Sequence, residues 1–509
     1  MLGVEPVTPD LVVAQLIDQV KFTQQPEYVF HHPLIRAVAY EAQLKSDRVE
    51  LHRRLATAIQ ERDPETADEN AALIAEHLEA AGDLHGAYSW HMRAGTWSTN
   101  RDITAARISW QRARQVADRL PADDPDSASM IITPRTLLCG STWRVGGSVA
   151  DTGFDELREL TTAAGDHVSL AIAMAGLLMT QTLHHQYRES SRLASEQAEL
   201  LESIGDPTMT VGLLYGANFA KLQAGEAVEA MQLAQRVIDL AAGDPCKGNL
   251  LVGSPLALAL TIRGLARCSL GHPGWSDDVH QAVRTARAVD STSEVMVTSY
   301  SYSFAITNGA ILPDATAMRD TAAALQAAEQ SGDDVTLVLA QIARGIILIH
   351  RKDPEQGIGS DMLAEFREAA LRQRNLIAVR LVDIHIAEQK AQTGEIAGAI
   401  EMSRGIVDDA FDTGETIWNG PATAVLVESL LRRGADADLQ EAHAAVDRLA
   451  AVPTDHRFVL HEIWLQRLRA LLARARGDEA AYREYRDRYR AMATSLGFEG
   501  HMKWAEAML

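Results

Sequence analysis

Beyond residue 45, apolar side chains recur every three to four positions, which is the spacing of one face of an α-helix. In "SDRVELHRRLATAIQERDPE", Leu51, Leu55, Ala58 and Ile59 form such a stripe, and the run stops near Pro64. The next run, "ADENAALIAEHLEAAGD", repeats the pattern and ends at Gly82. Because the rest of the chain continues in this way, the pattern predicts one helix after another.

The breaks between these runs share a motif, a glycine followed directly by an acidic residue. Glycine accepts the left-handed conformation that ends a helix, and the acidic side chain then lies at the positive end of the next helix. Several of these glycines are twenty or forty residues apart, the lengths of one helix with its turn and of one helical hairpin. The spacing predicts stacked helical hairpins of the tetratricopeptide type. The motif occurs at Gly82-Asp83, Gly165-Asp166, Gly205-Asp206, Gly225-Glu226, Gly243-Asp244, Gly332-Asp333, Gly394-Glu395, Gly414-Glu415 and Gly477-Asp478.

Two stretches interrupt the helical pattern. Residues 120–136, "LPADDPDSASMIITPRT", contain three prolines and an acidic cluster, and residues 243–256 form a Gly- and Pro-containing connection. Each is a loop or a hinge, and we favour the loop for both.

The first forty-five residues follow another pattern. Val20 to Phe22 and Tyr28 to Phe30 flank a Gln-Gln-Pro turn, as in a short β-hairpin. A helix from Asp10 precedes the hairpin and another follows it, so this segment looks like the end of a winged-helix module. In "VFHHPLIRAVAYEAQL", Pro33 suits the first helical position, which makes His32 the predicted N-cap.

Composition narrows the function classes. The chain has 509 residues and a formal charge of -21, and clustered Lys and Arg, which nucleic acids require, are missing. The sequence contains no apolar stretch of about 20 residues for a membrane span and no signal-peptide pattern at its start. Three widely spaced cysteines favour a reducing compartment. We therefore expect a cytoplasmic protein that binds neither nucleic acid nor membrane.

Catalytic motifs each fail at a decisive position. "GDPCKGNL" has two glycines at phosphate-loop spacing, but Asn249 and Leu250 replace the lysine and the hydroxyl residue. "HEIWL" has Leu465 where a zinc protease needs its second histidine. "GGSVA" has Ala150 in place of the last glycine of a nucleophile elbow. These departures predict a chain that is not an enzyme.

The remaining metal-binding residue types give no ligand set. His184 and His185 are neighbours late in a predicted helix, so they point about 100° apart and cannot chelate one ion together. Cys139, Cys246 and Cys268 have no CxxC partner and are interpreted as small buried apolar residues. We expect no metal and no cofactor.

The stretch "FHHPLIRAVAYEAQLKSDRVELHRRLATAI" resembles STAND-type signalling ATPases, with their Phe-x-His-x-Leu-Ile-Arg, Ala-Tyr and Leu-His-Arg pattern. "AALIAEHLEAAGDLHGAYSWHMRAG" is similar to the first repeats that follow in those proteins. The resemblance is strongest over residues 28–120. It implies a winged helix followed by a helical array, and it implies that His32 is the histidine that contacts the phosphate of a bound nucleotide.

In bacteria such units accompany an adenylate cyclase domain or a LuxR-type DNA-binding domain. This sequence lacks the phosphate-binding loop and the helix-turn-helix, and "LVDIHIAEQ" is only a faint echo of the cyclase metal strand. We therefore expect the C-terminal half of such a regulator, with His32 as an inherited nucleotide-sensor position that is inactive here. The alternatives are an adenylate cyclase or ATP-binding enzyme, or a LuxR-type regulator, whose catalytic or DNA-binding domain is missing.

Together these observations predict an all-α fold, a tetratricopeptide-like α-solenoid of roughly ten helical hairpins with a small winged-helix remnant. The expected function is that of a non-catalytic sensor or scaffold arm that binds a protein, a peptide or a small effector on the solenoid. A nucleotide-binding or cyclase domain is a further candidate partner, docking at residues 1–45. The predicted segments are residues 1–45 (winged-helix remnant), 46–120 (first repeats), 121–150 (irregular connection) and 151–509 (solenoid).

Overall fold

The computed structural model describes residues 8–21, 27–62, 64–99, 101–121, 123–249, 253–331, 334–351, 355–455 and 458–508. The chain divides into two compact units, Met1–Leu138 and Cys139–Leu509. Both units are built from antiparallel helices that contact their neighbours along the chain. The prediction of an all-α helical-repeat fold is confirmed.

The N-terminal unit begins with a helix, a two-stranded antiparallel sheet and a second helix. Ile17 pairs with Phe30 and Gln19 with Tyr28. The order matches the predicted helix, hairpin and helix, while Phe22 and the Gln-Gln-Pro turn lie outside the described residues. The assignment of this segment to a winged-helix module stays a prediction. The elements of this unit are α1 Thr8–Val13, β1 Ile17–Lys21, β2 Glu27–Phe30, α2 Pro33–Glu41, α3 Lys45–Arg62, α4 Ala71–Ala80, α5 Leu84–Ser98, α6 Ile103–Ala117 and α7 Ser127–Gly140.

The core of this unit lies between α3 and α6, where Ala56, Ile74 and Val116 are completely buried. The predicted apolar stripe on α3 is only partly buried in this core, because Leu51 and Leu55 are exposed. Their surface bears on the function proposed below.

Helix α7 corrects the prediction that residues 121–150 are irregular. Its sequence contains Pro134, which removes one backbone donor and normally ends a helix. The helix forms nevertheless, because Met130, Ile132 and Cys139 are buried and Thr136 Oγ1 donates to the Ile132 carbonyl at 3.0 Å. Burial of these side chains outweighs the local cost of the proline.

Among its described residues the C-terminal unit contains eighteen α-helices: an initial helix, eight helical hairpins and a final helix. The first helix of each pair contacts the first helix of the next pair, as in a solenoid. The helices are α8 Phe154–Ala164, α9 His167–Leu183, α10 Tyr187–Ile204, α11 Pro207–Gln223, α12 Ala227–Ala241, α13 Pro255–Leu270, α14 Trp275–Arg287, α15 Ser291–Thr307, α16 Ala315–Ser331, α17 Asp334–Ile349, α18 Glu355–Arg372, α19 Leu376–Thr393, α20 Ile396–Thr413, α21 Asn419–Arg433, α22 Asp438–Ala450, α23 Val459–Ala475, α24 Glu479–Leu496 and α25 Glu499–Glu506.

The glycine–acid motif marks the turns between these helices. Each motif glycine within the described residues has a positive φ, between +65° and +92°. The acidic residue that follows often caps the next helix directly, as when the Ser169 amide donates to Asp166 Oδ1 at 2.9 Å. The prediction for these turns is confirmed, while Gly332-Asp333 lies outside the described residues.

The inner helices α11, α13 and α15 are buried on nearly every face. In α13, whose sequence is "PLALALTIRGLARCSL", the residues at both ends of the helix are buried as well. Two distant parts of the array also meet across its axis. Thr416 Oγ1 donates to the Ala224 carbonyl at 3.2 Å, and the Val228 amide donates to Asp455 Oδ2 at 2.8 Å. The solenoid interior is therefore largely filled by its own side chains, and ligand access is confined to separate cavities.

Candidate functional site

One cavity of the C-terminal unit has a volume of about 670 Å³ and is called the axial cavity. It lies where the α11–α12 turn meets the connections that follow α20 and α22. Its walls come from the first turn of α10, the α11–α12 turn, and the connections that follow α20 and α22. The lining residues used below are Arg188, Ser191, Glu226, Phe411, Glu415, Asn419, Arg448 and Asp455.

Two of the repeated turns meet at this cavity. Gly225, with a φ of +79°, approaches Thr416 so closely that a Cβ atom at position 225 would lie 2.7 Å from the threonine side chain. Gly414 occupies the matching position at the end of α20, with a φ of +76°. The glycines that end α11 and α20 therefore also let distant parts of the array come into contact.

A buried ion pair supports the cavity. The Arg380 guanidinium from α19 pairs with the carboxylate of Glu415, and the two side chains are 3% and 0% exposed. Arg380 also pairs with Asp409 and approaches His185 Nδ1 at 2.8 Å. Burial lowers the pKa of Arg380 to about 10, and burial together with Arg380 lowers the pKa of His185 to about 3. His185 is therefore neutral at physiological pH and accepts from Arg380.

The acidic groups that line the cavity have partners within the protein. Glu226 accepts from Lys221 Nζ and Ser191 Oγ, both at 2.6 Å. Glu415 pairs with Arg380, and Asp455 accepts from a backbone amide. Glu226 and Glu415 therefore have cationic partners, whereas Asp455 has a neutral donor.

The basic side chains of the cavity have fewer partners within the protein than the acidic ones. Arg188 is exposed and has no ion-pair or hydrogen-bond partner within the described part of the chain. Arg448 pairs with Asp408 at 2.7 Å and stacks over the Phe411 ring at 4.4 Å. Arg188 is thus the basic lining residue without a carboxylate partner in the described structure, and it favours an acidic ligand.

His32 lies in the N-terminal unit, exposed at the start of α2. Its Nδ1 accepts from the Leu34 amide at 3.1 Å, so the predicted N-cap is confirmed. The proton of the neutral ring is then on Nε2, which is free to donate. The neighbouring His31 is turned to Asp18, with Nδ1 2.9 Å from Oδ2.

The other residues considered from the sequence are structural. His184 ends α9, and His185 takes a left-handed conformation directly after it. Cys139 and Cys268 are buried as expected, but Cys246 is exposed because it lies in the loop after α12. Within the described residues there is no group of three potential metal ligands, and no described helix is long and apolar enough to cross a membrane.

Sequence reasoning missed Arg380, Glu415 and Arg188. A usable signal for Arg380 exists in "LIAVRLVDIHIAEQ", where single charged residues interrupt an otherwise apolar helix. A charge in such a position must find a buried partner or line a cavity. Arg188 offers no comparable signal, since an isolated arginine after a turn is ordinary at a protein surface.

Comparisons with known proteins give distant likenesses. No protein-family model matches the chain. An uncharacterised protein of Rhizobium meliloti (strain 1021) is 28% identical over 117 residues, which are 23% of this chain and 11% of that protein. The match therefore spans only a small part of that relative's length.

Two solved structures are similar in helical arrangement. A Rap protein complexed with Competence and Sporulation Factor matches with 10% identity and a TM-score of 0.43, covering 82% of this chain and 99% of that one. A STAND protein with a tetratricopeptide repeat sensor from Pyrococcus horikoshii matches with 12% identity and a TM-score of 0.41, covering 92% of this chain and 61% of that one. At these scores neither likeness supports a conclusion about ligand or activity.

Proposed function

We propose that this chain is a non-catalytic sensor arm of a bacterial signalling ATPase, and that it binds an acidic peptide or protein segment in the axial cavity. The observation that carries the proposal is the cavity itself, which is open, about 670 Å³ in volume and walled by distant parts of the array. Cavities of about 300–1,000 Å³ are the usual size of ligand sites. Because Arg188 is the charged lining group without a partner, a ligand carboxylate would meet it first.

Peptides selected from a random display library against the purified chain test this proposal. We expect the selected peptides to be rich in Asp and Glu, and their affinity to fall about tenfold or more in Arg188→Gln, the loss of one charge-assisted contact. Arg192→Gln is the matched control, because Arg192 lies on the same helix with its side chain 77% exposed. Selected peptides that bind both variants as tightly as the wild type would place the binding surface elsewhere.

A second surface supports the regulatory part of the proposal. Of 19 exposed large apolar residues in the described chain, 12 lie between residues 13 and 55. A concentration of this kind marks an interaction surface. These residues form the N-terminal apolar patch: Val13, Leu16, Val20, Tyr28, Val29, Phe30, Leu34, Val38, Tyr40, Leu44, Leu51 and Leu55.

The N-terminal apolar patch would receive a nucleotide-binding or cyclase domain, with His32 beside it as the phosphate-sensing position. Loss of the cap in His32→Ala should cost about 0.5–2 kcal/mol of stability without unfolding the unit. In a complex with a nucleotide-binding partner, the same change should also alter nucleotide exchange. An unchanged exchange rate in a complex that still forms would leave His32 with its capping role alone.

A further inference from the structure

A second, smaller cavity lies among the inner helices of the C-terminal unit, away from the lining residues of the axial cavity. This inner cavity has a volume of about 240 Å³ and is enclosed by α15, α19, α21, α23 and α25. Ile306, Ile384, Val425, Trp464 and Trp504 give it apolar walls. In volume it holds about eight water molecules, which suits a small metabolite rather than a peptide.

One end of the inner cavity is acidic. Glu388 keeps 35% of its side-chain surface, and no Lys or Arg within the described residues pairs with it. Its neighbours are Gln392 Nε2, which donates at 3.3 Å, and His385 Nδ1 at 3.6 Å. The other carboxylate of the cavity, Glu428, is already paired with Arg467. Glu388 is therefore a carboxylate without a Lys or Arg ion-pair partner in the described structure, and it could pair with a cationic group of a ligand.

His385 lies beside Glu388. It is 2% exposed, and its Nε2 lies 2.8 Å from Thr307 Oγ1. Its Nδ1 is 3.6 Å from the Glu388 carboxylate, which is too far for a hydrogen bond. With the proton on Nδ1 and the Thr307 hydroxyl donating to Nε2, the ring favours an ionised Glu388.

The mouth of the cavity is basic. The Arg432 guanidinium donates to the Ala391 carbonyl at 2.7 Å, and it has no carboxylate partner within the described residues. Ser429, one turn earlier on α21, is completely buried, and its Oγ has no hydrogen-bond partner there. Ala391 lies three residues after Glu388 on α19, so the cationic and anionic ends are about 5 Å apart along that helix.

The protonation states agree with this polarity. Enclosure alone would raise the pKa of Glu388, but the His385 imidazole lowers it below the ordinary value, so the carboxyl is ionised at neutral pH. Enclosure, together with His385, lowers the pKa of His350 to about 4, so this ring brings no positive charge. The Glu388 end of the cavity is therefore negative and the Arg432 end positive.

We propose that the inner cavity binds a free α-amino acid with an apolar side chain. Its ammonium group would contact Glu388, its carboxylate would contact Arg432 and the Ser429 hydroxyl, and its side chain would lie against Trp464 and Trp504. A zwitterion supplies both missing charges at once. An amine alone or an acid alone would leave one end of the cavity uncompensated.

Titration calorimetry at neutral pH with L-leucine, L-methionine and L-phenylalanine tests the proposal, and the fluorescence of Trp464 and Trp504 gives a second readout. We expect at least one of the three to bind. Leucine amide lacks the carboxylate and 4-methylpentanoic acid lacks the ammonium group, so each should bind at least about tenfold more weakly than leucine. Equal binding of either analogue would overturn the proposal of a zwitterion site.

Two variants that each remove one charge locate the site. Glu388→Gln and Arg432→Gln should each weaken amino-acid binding at least about tenfold while retaining the helical circular dichroism of the wild type. Glu401→Gln and Arg372→Gln are matched controls at exposed positions of α20 and α18. Absence of binding by all twenty L-amino acids at about 10 mM would also overturn the proposal, as would full binding by both cavity variants. Because the axial-cavity variant Arg188→Gln should leave this binding unchanged, the two proposals fail separately.

Discussion

Acidification should destabilise the C-terminal unit through His501 on α25. This histidine is completely buried and packs against Trp464 and Trp504, with ring centroids 4.6 and 5.0 Å away. Its Nε2 donates to the Asn308 carbonyl at 3.1 Å, and its Nδ1 accepts from the Tyr489 hydroxyl at 2.9 Å. Both nitrogens are satisfied in the neutral ring. Burial, with Arg467 as the second cause, lowers the pKa of His501 to about 3.

The sign and size of the effect follow from proton linkage. An unfolded histidine titrates near 6.5, so below that pH the unfolded chain binds a proton that the folded chain rejects. The stability that His501 contributes is complete above pH 6.5 and is lost as the pH falls toward 3. Between pH 7 and pH 5 this loss is about 2 kcal/mol, a large share of the roughly 5–15 kcal/mol that holds an ordinary domain together.

The variant His501→Gln isolates this term, because an amide cannot take up a proton in this range. It should be less stable than the wild type at pH 7, since it loses ring contacts. Its unfolding free energy should, however, fall about 2 kcal/mol less between pH 7 and pH 5. Urea unfolding followed by tryptophan fluorescence measures both curves, and His280→Gln on the exposed side of α14 is the control. Parallel curves for the wild type and His501→Gln would show that His501 does not carry the pH dependence.

Three further changes test the contacts between distant parts of the array and the N-terminal apolar patch. Glu415→Gln should cost about 3–5 kcal/mol in chemical unfolding, because it leaves Arg380 buried without its partner; a cost below about 1 kcal/mol would mean that the pair is not essential. Gly225→Ala should destabilise more than Gly243→Ala, since both have a positive φ but only at Gly225 would the new methyl meet a neighbour within 4 Å; equal melting temperatures would contradict the contact. Deleting residues 1–45 should leave the helical circular dichroism of the array intact and reduce self-association in sedimentation, and greater aggregation of the shortened chain would show that this segment is not the adhesive surface.

Local features of this protein could be predicted because neighbouring residues determine them. Pro33 fixes the first turn of α2, and the residue before it must then cap the helix, so His32 was predictable. The same holds for the turn glycines, since only a left-handed residue closes these helices. Helix α7 was missed because its prolines were weighed without the burial of Ile132 and Cys139, which no local pattern reveals.

The candidate sites depend on contacts between distant parts of the chain. Arg380 and Glu415 are 35 positions apart, and the Thr416–Ala224 contact spans 192. Helical periodicity shows that these residues belong to hairpins, but not which hairpins meet. The uncompensated charge of Glu388 was equally hidden, because a glutamate on a helix is ordinarily solvated.

The meeting of the α11–α12 turn with the connection after α20 also limits how this array can evolve. An open array can gain or lose a repeat, since each repeat touches only its neighbours. Here an added hairpin between the two turns would carry Thr416 away from Ala224 and uncover the buried inner helices. The number of hairpins between these points is therefore fixed, and lineages of this array should differ by substitutions and loop insertions. Folding is constrained as well, because the last contacts to form close a loop of nearly two hundred residues.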